Sequence, residues 1–211
     1  MAIRIITKPS RKNLYKKSHW WGFPDLPENV DFPVYPDRFE SDEEEGEDLL
    51  TFICQINLKD IASYDKENLL PHKGFLYFFA SLDYFLGDLD APGESLGYWP
   101  EGSFKVIYTP ETNELFTHKI CWEGGEDACL PAETMSFETV GECADDQKLL
   151  GMPFYEEVRE QTPEDISLLQ LDENDRWGLR FYDCGMLNFL ISKEDLKELR
   201  FDKVKVYFHS L

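Results

Sequence analysis

The sequence predicts an α+β protein, in which mixed or antiparallel sheets are combined with short helices and two similar halves pack around one core. Three observations predict this class. Apolar runs rich in aromatic and β-branched residues indicate strands. Short polar segments carry helix start signals. A strand–connection–strand pattern in residues 49–110 returns in residues 164–208.

The length and composition of the chain indicate one folded domain. The 211 residues are 42% hydrophobic and include 16 Phe, 10 Tyr and 5 Trp, which can supply a sizeable core. This composition excludes a disordered chain. We therefore expect residues 1–211 to form a single domain.

The charge of the chain restricts its partners. The formal net charge is -21, which repels nucleic acid and anionic lipid, so neither is expected to bind. A basic protein or peptide is the expected kind of partner. Residues 1–24 are basic and contain no acid, whereas residues 40–48, "ESDEEEGED", hold seven acids. We predict that residues 40–48 form a mobile acidic loop, because like charges repel.

The chain has no apolar stretch of the roughly 18–20 residues that a membrane span needs. Its five cysteines are odd in number and scattered, a pattern typical of a reducing compartment. The expected location is the cytoplasm. The oligomeric state cannot be read from the sequence.

The first half of the chain is predicted to be rich in strands. A short strand covers residues 2–7. Residues 18–38 contain four prolines and are expected to be an ordered extended segment without regular helix or central strand. "LTFICQINL" is the next predicted strand, and "LKDIASYD" is a short helix. "GFLYFFAS" is nearly continuous apolar and predicts a strand buried on both faces.

The second half is predicted to alternate strands with short helices. "SFKVIYTP", "ELFTHKICW", "TMSFETV" and "DKVKVYFHS" indicate strands, and "ADDQKLL" favours a helix. "QTPEDI" predicts a helix start with Thr162 as its N-cap. "SKEDLKEL" predicts another with Ser192 as its N-cap.

The internal repeat is defined by matched residues. Gln55 aligns with Gln170 inside apolar runs, and a glycine then precedes a second strand in both halves. Phe78 aligns with Phe189 in those second strands. Further along, "KVIY" at 105–108 matches "VKVY" at 204–207. The agreement in order and residue type predicts a duplicated unit.

Six residues are candidates for a binding site. Gln55 and Gln170 carry amides within apolar runs, which either satisfy buried backbone groups or contact a ligand. Asp183 is the carboxylate most suited to act as an acid or base, because aromatic residues flank it. Tryptophans could form the walls of a cleft between the two halves; the candidates are Trp20, Trp21 and Trp177.

The sequence contains no common metal-binding or nucleotide-binding motif. The chain lacks C-x-x-C, H-E-x-x-H, a P-loop and G-x-G-x-x-G. Its acidic clusters do not follow the spacing of a calcium-binding loop. We therefore predict no catalytic residue, no metal and no cofactor, and we leave open whether the protein is an enzyme.

Several segments together resemble one protein family. "SHWWGFPDLPENVDFP", "FICQINLKDI", "LLPHKGFLYFF", "LLQLD" and "FYDCGMLNFLISKEDL" occur in the order found in the YwqG-like proteins, an uncharacterised and mainly bacterial group. The chain departs from the family pattern where Trp21 precedes Gly22 in place of a Gly-Gly pair. The resemblance implies an α+β fold with an internal duplication, and it implies no established reaction.

Two functions are consistent with these observations. The first is an acidic, non-enzymatic module of bacteria that binds a basic protein, and toxin neutralisation is one version of it. The alternative is a small-molecule-binding protein or an enzyme, with its site in the cleft between the two repeats. The alternative requires the tryptophans and Asp183 to converge on a pocket.

Overall fold

The computed structural model describes residues 1–35, 48–121 and 124–211. Most of the predicted acidic loop, residues 40–47, lies outside the described residues. The strands are β1 (Ala2–Pro9), β2 (His19–Trp20), β3 (Asp25–Pro27), β4 (Val34–Tyr35), β5 (Asp48–Leu49), β6 (Thr51–Asn57), β7 (Phe75–Ala80), β8 (Gly97–Tyr98), β9 (Phe104–Thr109), β10 (Leu115–Thr117), β11 (Glu133–Val140), β12 (Lys148–Leu149), β13 (Asp165–Asp172), β14 (Met186–Ser192) and β15 (Lys205–His209).

The helices in the described ranges are short. They are α1 (Leu58–Ile61), α2 (Glu156–Gln161), α3 (Lys193–Lys197) and the 3-10 turns Tyr84–Leu86 and Phe201–Lys203. None of them is long and apolar enough to cross a bilayer. Ser192 caps α3 as predicted, since its hydroxyl accepts a hydrogen bond from Asp195 N.

The prediction of an α+β fold is wrong. Strands hold 38% of the described residues and helices hold 11%, so the protein is mainly β. The helices are one or two turns long and sit at the ends of strands, where they form no layer of their own. Helix start signals in the sequence were read correctly at α3, but they do not reveal how soon a helix ends.

One antiparallel sheet of eleven strands organises the chain. Its order is β8-β15-β14-β13-β12-β1-β11-β2-β6-β7-β9. The pair β1–β11 lies at the centre, and chain order increases outward to β9 on one side and to β15 on the other, where β8 is added at the edge. We call β2, β6, β7 and β9 the first arm, and β12, β13, β14 and β15 the second arm. The predicted repeats fall on the outer strands of these arms, and their common origin stays a prediction.

The sheet is curled into a half-barrel. Phe78 of β7 and Phe189 of β14 are separated by six strands in the sheet order, yet their ring centroids are 5.4 Å apart. Seven strand spacings of about 4.8 Å would place them far apart in a flat sheet. The curl therefore brings the two arms face to face, and the main hydrophobic core fills the space between them.

A second, smaller core lies on the opposite face of the first arm. Alternate side chains of β6 and β7 point there, including Phe52, Tyr77 and Phe79. The small sheets β3–β10 and β4–β5 contribute Leu26 and other apolar side chains to the same cluster. Because both faces are covered, every residue of β7 is buried, as its continuous apolar sequence predicts.

Three predicted elements are wrong. Residues 18–38 include β2, a central strand of the sheet. The prolines do not prevent this strand, because it ends before Pro24, the first proline of the segment. Residues 144–150 form no helix, since Lys148 and Leu149 pair with both β1 and β13. Thr162 ends α2 at its C-cap and does not begin a helix. Pairing with distant strands overrides local preference at the first two places.

Candidate functional site

Three tryptophans form one cluster in the main core. Trp20 stacks on Trp177 with ring centroids 5.3 Å apart, and Trp21 meets Trp177 edge-on at 5.5 Å. All three are almost fully buried. Their indole N–H groups have no acceptor within the described residues, at a cost of roughly 1–3 kcal/mol each. Unpaired buried donors are rare, and this cost makes the cluster the first place to look for a function other than stability.

Backbone geometry places Trp21 at the end of β2. Trp21 and Gly22 both adopt left-handed conformations, with φ of 53° and 76°. A Cβ at Gly22 would lie 2.7 Å from Ala132 Cβ, so only glycine allows this approach of the two chain segments. The strand consequently ends abruptly, and Trp21 is turned into the core.

A tight turn places Trp177 beside Trp21. Residues 174–179 are closed by hydrogen bonds from Trp177 N to Asn174 O and from Gly178 N to Asp175 O. The side chain of Asn174 also accepts from Arg176 N at 3.0 Å. The turn follows β13, so the cluster joins a residue of the second arm to residues of the first.

A cavity of about 420 Å³ opens beside Trp21 and Trp177, and we call it the tryptophan cavity. It lies at the end of the central strand pair, where Pro9 of β1 is opposite Glu133 of β11. Its charged lining residues are Arg11, Glu133 and Arg176. The rest of the lining is Pro9, Ser10, Leu130 and Pro131.

The tryptophan cavity carries more positive than negative charge. Arg176 donates from Nη2 to Glu133 Oε2 and to Thr7 Oγ1, both at 2.7 Å. Its Nη1 and Nε make no hydrogen bond with a described residue. Arg11 makes no ion pair within the described part of the chain. One buried carboxylate thus faces two guanidinium groups, in a chain whose net charge is -21.

A second cavity, of about 330 Å³, adjoins the first and shares Leu130 and Pro131 with it. We call it the histidine cavity, because the buried His19 lines it. His19 Nδ1 is 2.7 Å from Trp21 O. A carbonyl oxygen only accepts, so Nδ1 carries the hydrogen, and the neutral ring keeps a lone pair on Nε2.

Burial determines the charge of the groups in the histidine cavity. It lowers the pKa of His19, and the hydrogen bond to Trp21 and the nearby Asp25 carboxylate oppose this effect. Burial also raises the pKa of the Cys129 thiol to about 11. The histidine is therefore a neutral acceptor near pH 7, and the thiol is protonated and not poised as a nucleophile.

The carboxylate of Asp25 is fully engaged within the protein. It accepts from Lys16 N at 2.8 Å, from Gln55 Nε2 at 2.9 Å and from Thr117 Oγ1 at 2.6 Å. An acid held by three donors orients the loops around it and is not available as a base. Asp25 therefore supports the wall of the histidine cavity and supplies it with no free base.

The predicted residues Gln55 and Gln170 make equivalent hydrogen bonds in the two arms. Gln55 accepts from Asp25 N and donates to Lys17 O. Gln170 accepts from Phe154 N and donates to Asp146 O. Each amide therefore connects its strand to the loops before and after the neighbouring short strand. Neither glutamine lines either of the two cavities.

The other predicted residues separate into two groups. Trp20, Trp21 and Trp177 come together, and the last two line the tryptophan cavity. Asp183 does not join them. It lies in an exposed turn, where its backbone is hydrogen-bonded to Ser210. Asp183 lines neither cavity, so it is removed from the candidate site.

Sequence reasoning missed the charged residues of the site. Arg11 belongs to the basic segment 1–24, which the sequence singles out, but nothing local shows that it reaches the tryptophans. Arg176 is adjacent to Trp177, and Glu133 begins β11 about 120 residues after Arg11. His19 directly precedes Trp20. One local signal could have pointed to Arg176 and His19: each is a basic residue directly next to a tryptophan in a strongly acidic chain.

The fold and site define a mainly β protein with a buried tryptophan cluster beside a positively charged cavity. Residues 18–209 match the family described as "Domain of unknown function (DUF1963)", and the chain belongs to this family. No curated protein matched the chain. The match includes His19, Trp21, Glu133, Arg176 and Trp177, and Arg11 precedes it. The narrower YwqG-like assignment and a bacterial source stay predictions.

Proposed function

We propose that the protein is a binding module that holds a small organic anion in the tryptophan cavity. The observation that carries this proposal is the pair Arg11 and Arg176 beside two buried tryptophans in a chain of net charge -21. A carboxylate fits the guanidinium groups, because it accepts two parallel N–H bonds. The apolar wall of Leu130, Pro131 and the indoles suits an aromatic or aliphatic body.

The position of the cavity agrees with a site between the two arms. Trp21 follows β2 of the first arm, and Trp177 follows β13 of the second. A ligand held between them would be sensitive to how the arms meet. Glu133 supports this use, because it orients Arg176 and leaves Nη1 and Nε of that side chain free for a ligand.

The test is calorimetry with phenylacetate and its neutral analogue phenylacetamide. We expect the carboxylate to bind and the amide to bind at least tenfold more weakly, since a charge-assisted hydrogen bond is worth about 1.5–3 kcal/mol. Arg11→Gln should weaken phenylacetate binding about tenfold without lowering stability, because Arg11 is exposed and unpaired among the described residues. Lys203→Gln, at an exposed lysine away from the cavity, is the control. Equal binding of the two compounds would contradict the proposal.

A second candidate function is the binding of a basic protein, of which toxin neutralisation is one version. An open cavity of about 760 Å³ favours it, because Glu28, Glu111 and Glu114 line it together with Tyr108 and Pro110. Lysine or arginine side chains of a partner would pair with these carboxylates. Capture of a partner that persists unchanged from low to high salt would argue against an electrostatic contact of this kind.

A further inference from the structure

The histidine cavity is lined by a histidine whose second ring nitrogen has no partner among the described residues. His19 is 3% exposed and lines the cavity, and its Nε2 makes no hydrogen bond with a described residue. Its tautomer is fixed, since Nδ1–H is held by Trp21 O. A lone pair of fixed tautomer on a nearly buried ring is a recognition element for an N–H or O–H donor.

The two cavities share part of their lining. Leu130 and Pro131 line both of them. Neighbouring residues line one each: Arg11 and Trp21 face the tryptophan cavity, whereas Lys12 and Gly22 face the histidine cavity. The hydrogen bond from His19 to Trp21 O fixes the two sites relative to each other. With volumes of about 420 and 330 Å³, they match the pockets of roughly 300–1,000 Å³ that enclose small ligands.

We propose that one ligand occupies both cavities, and that it is a carboxylic acid bearing an amide N–H, as in an N-acylated amino acid or a dipeptide. The carboxylate lies against Arg11 and Arg176, the apolar side chain covers Leu130 and Pro131, and the amide N–H donates to His19 Nε2. This inference rests on the proposed function, because the arginines supply the carboxylate subsite. The inference adds that the ligand carries an amide N–H next to its carboxylate.

The test uses two probes that differ in one atom. N-acetyl-L-phenylalanine carries the amide N–H, and O-acetyl-L-phenyllactate has an ester oxygen in its place. Calorimetry with the wild-type chain should show the amide binding about tenfold more tightly, since the ester loses the hydrogen bond and sets an oxygen against the Nε2 lone pair. Equal affinities for the two probes would overturn the inference.

The matched variant is His19→Asn. The amide Nδ2 of asparagine takes the place of imidazole Nδ1 against Trp21 O, so the internal hydrogen bond is retained while Nε2 is removed. We expect the ratio of the two affinities to fall to about one, with both probes still bound through the arginines. His118→Asn, the same change outside both cavities, should leave the ratio unchanged. A tenfold ratio that persists in His19→Asn would overturn the inference.

A measurement on the wild-type chain avoids dependence on the folding of the variant. In ¹⁵N-histidine-labelled protein, the Nε2 resonance of His19 should shift with N-acetyl-L-phenylalanine and stay in place with the ester. Identical responses to both probes would contradict the assigned contact. The proposed function fails separately, if neither probe binds or if Arg11→Gln changes the affinity of neither.

Discussion

Lys148 and His19 occupy corresponding positions in the two arms of the sheet. Lys148 of β12 pairs with Gln170, and His19 of β2 pairs with Gln55. Both side chains are buried, and burial lowers the pKa of both. Lys148 Nζ donates to Gln170 Oε1 at 2.8 Å and to Ala144 O. Each arm therefore places a titratable base next to its repeated glutamine.

The stability contributed by Lys148 should depend on pH. Burial lowers the pKa of Lys148 from 10.5 to about 8, so between these values the unfolded chain holds a proton that the folded chain has lost. Its contribution to the free energy of unfolding therefore rises with pH across this window. Urea unfolding at both ends of this pH window tests the prediction. From the lower to the higher pH, the free energy of unfolding of the wild type should rise by about 3 kcal/mol relative to that of Lys148→Met.

An exposed lysine provides the control for this experiment. Lys197→Met in α3 should differ from the wild type by the same small amount at every pH. A pH-independent difference for Lys148→Met would mean that Lys148 keeps its ordinary titration in the folded chain.

Asp172 should show the opposite slope in acid. Burial raises the pKa of Asp172 from 3.8 to about 6, so the folded chain holds a proton in this range that the unfolded chain has lost. The free energy of unfolding therefore falls as pH rises through the window. Relative to the wild type, Asp172→Asn should gain about 3 kcal/mol between pH 3.8 and neutral pH. The exposed Asp202→Asn is the control, and a variant without this gain would refute the prediction.

The close approach at Gly22 should be visible in a double mutant. Gly22→Ala introduces a Cβ at positive φ and 2.7 Å from Ala132 Cβ, so we expect a loss of about 3 kcal/mol in the free energy of unfolding. Adding Ala132→Gly removes the facing methyl group and should recover about half of the loss. Chemical denaturation of both single variants and the double variant measures this. Strictly additive effects would show that the two residues do not touch.

The contact between Phe78 and Phe189 tests the curl of the sheet. Phe78→Leu and Phe189→Leu should each destabilise the protein, and the double variant should be less unstable than their sum by about 1 kcal/mol, the usual coupling of an aromatic pair. The exposed Phe154 offers a comparison pair with Phe78 that should show no coupling. Zero coupling between Phe78 and Phe189 would contradict a sheet that brings the arms together.

Local patterns predicted most strands but not their arrangement. The continuous apolar sequence of β7 and the capping pattern at Ser192 are local signals, and the structure contains both features. The sequence around Lys148 favours a helix, and only its pairing with β1 and β13 makes it a strand. The two-residue strands β2, β8 and β12 complete the sheet, and so short an element has no periodicity to detect.

The candidate site was predicted in its apolar part alone. Tryptophans are conspicuous in a sequence, and Trp20, Trp21 and Trp177 do meet. The cavity is also lined by Arg11 and Glu133, whose chain segments are brought together by the pairing of β1 with β11. The sequence contains no local signal for that pairing, because the contact spans more than a hundred residues. Asp183 lies apart from the cavities, because the chain turns outward after the buried Phe181 and leaves Tyr182 and Asp183 exposed.

The position of β1 at the centre of the sheet also imposes an order on synthesis. β1 is made before its two partners, β11 and β12, which lie in residues 133–149. A ribosome that adds 5–20 residues per second leaves β1 without a neighbour for roughly 7–25 seconds. During that time both of its hydrogen-bonding edges are open to other chains. The basic residues in and just after β1, Arg4, Lys8 and Arg11, oppose such pairing until the partner strands emerge.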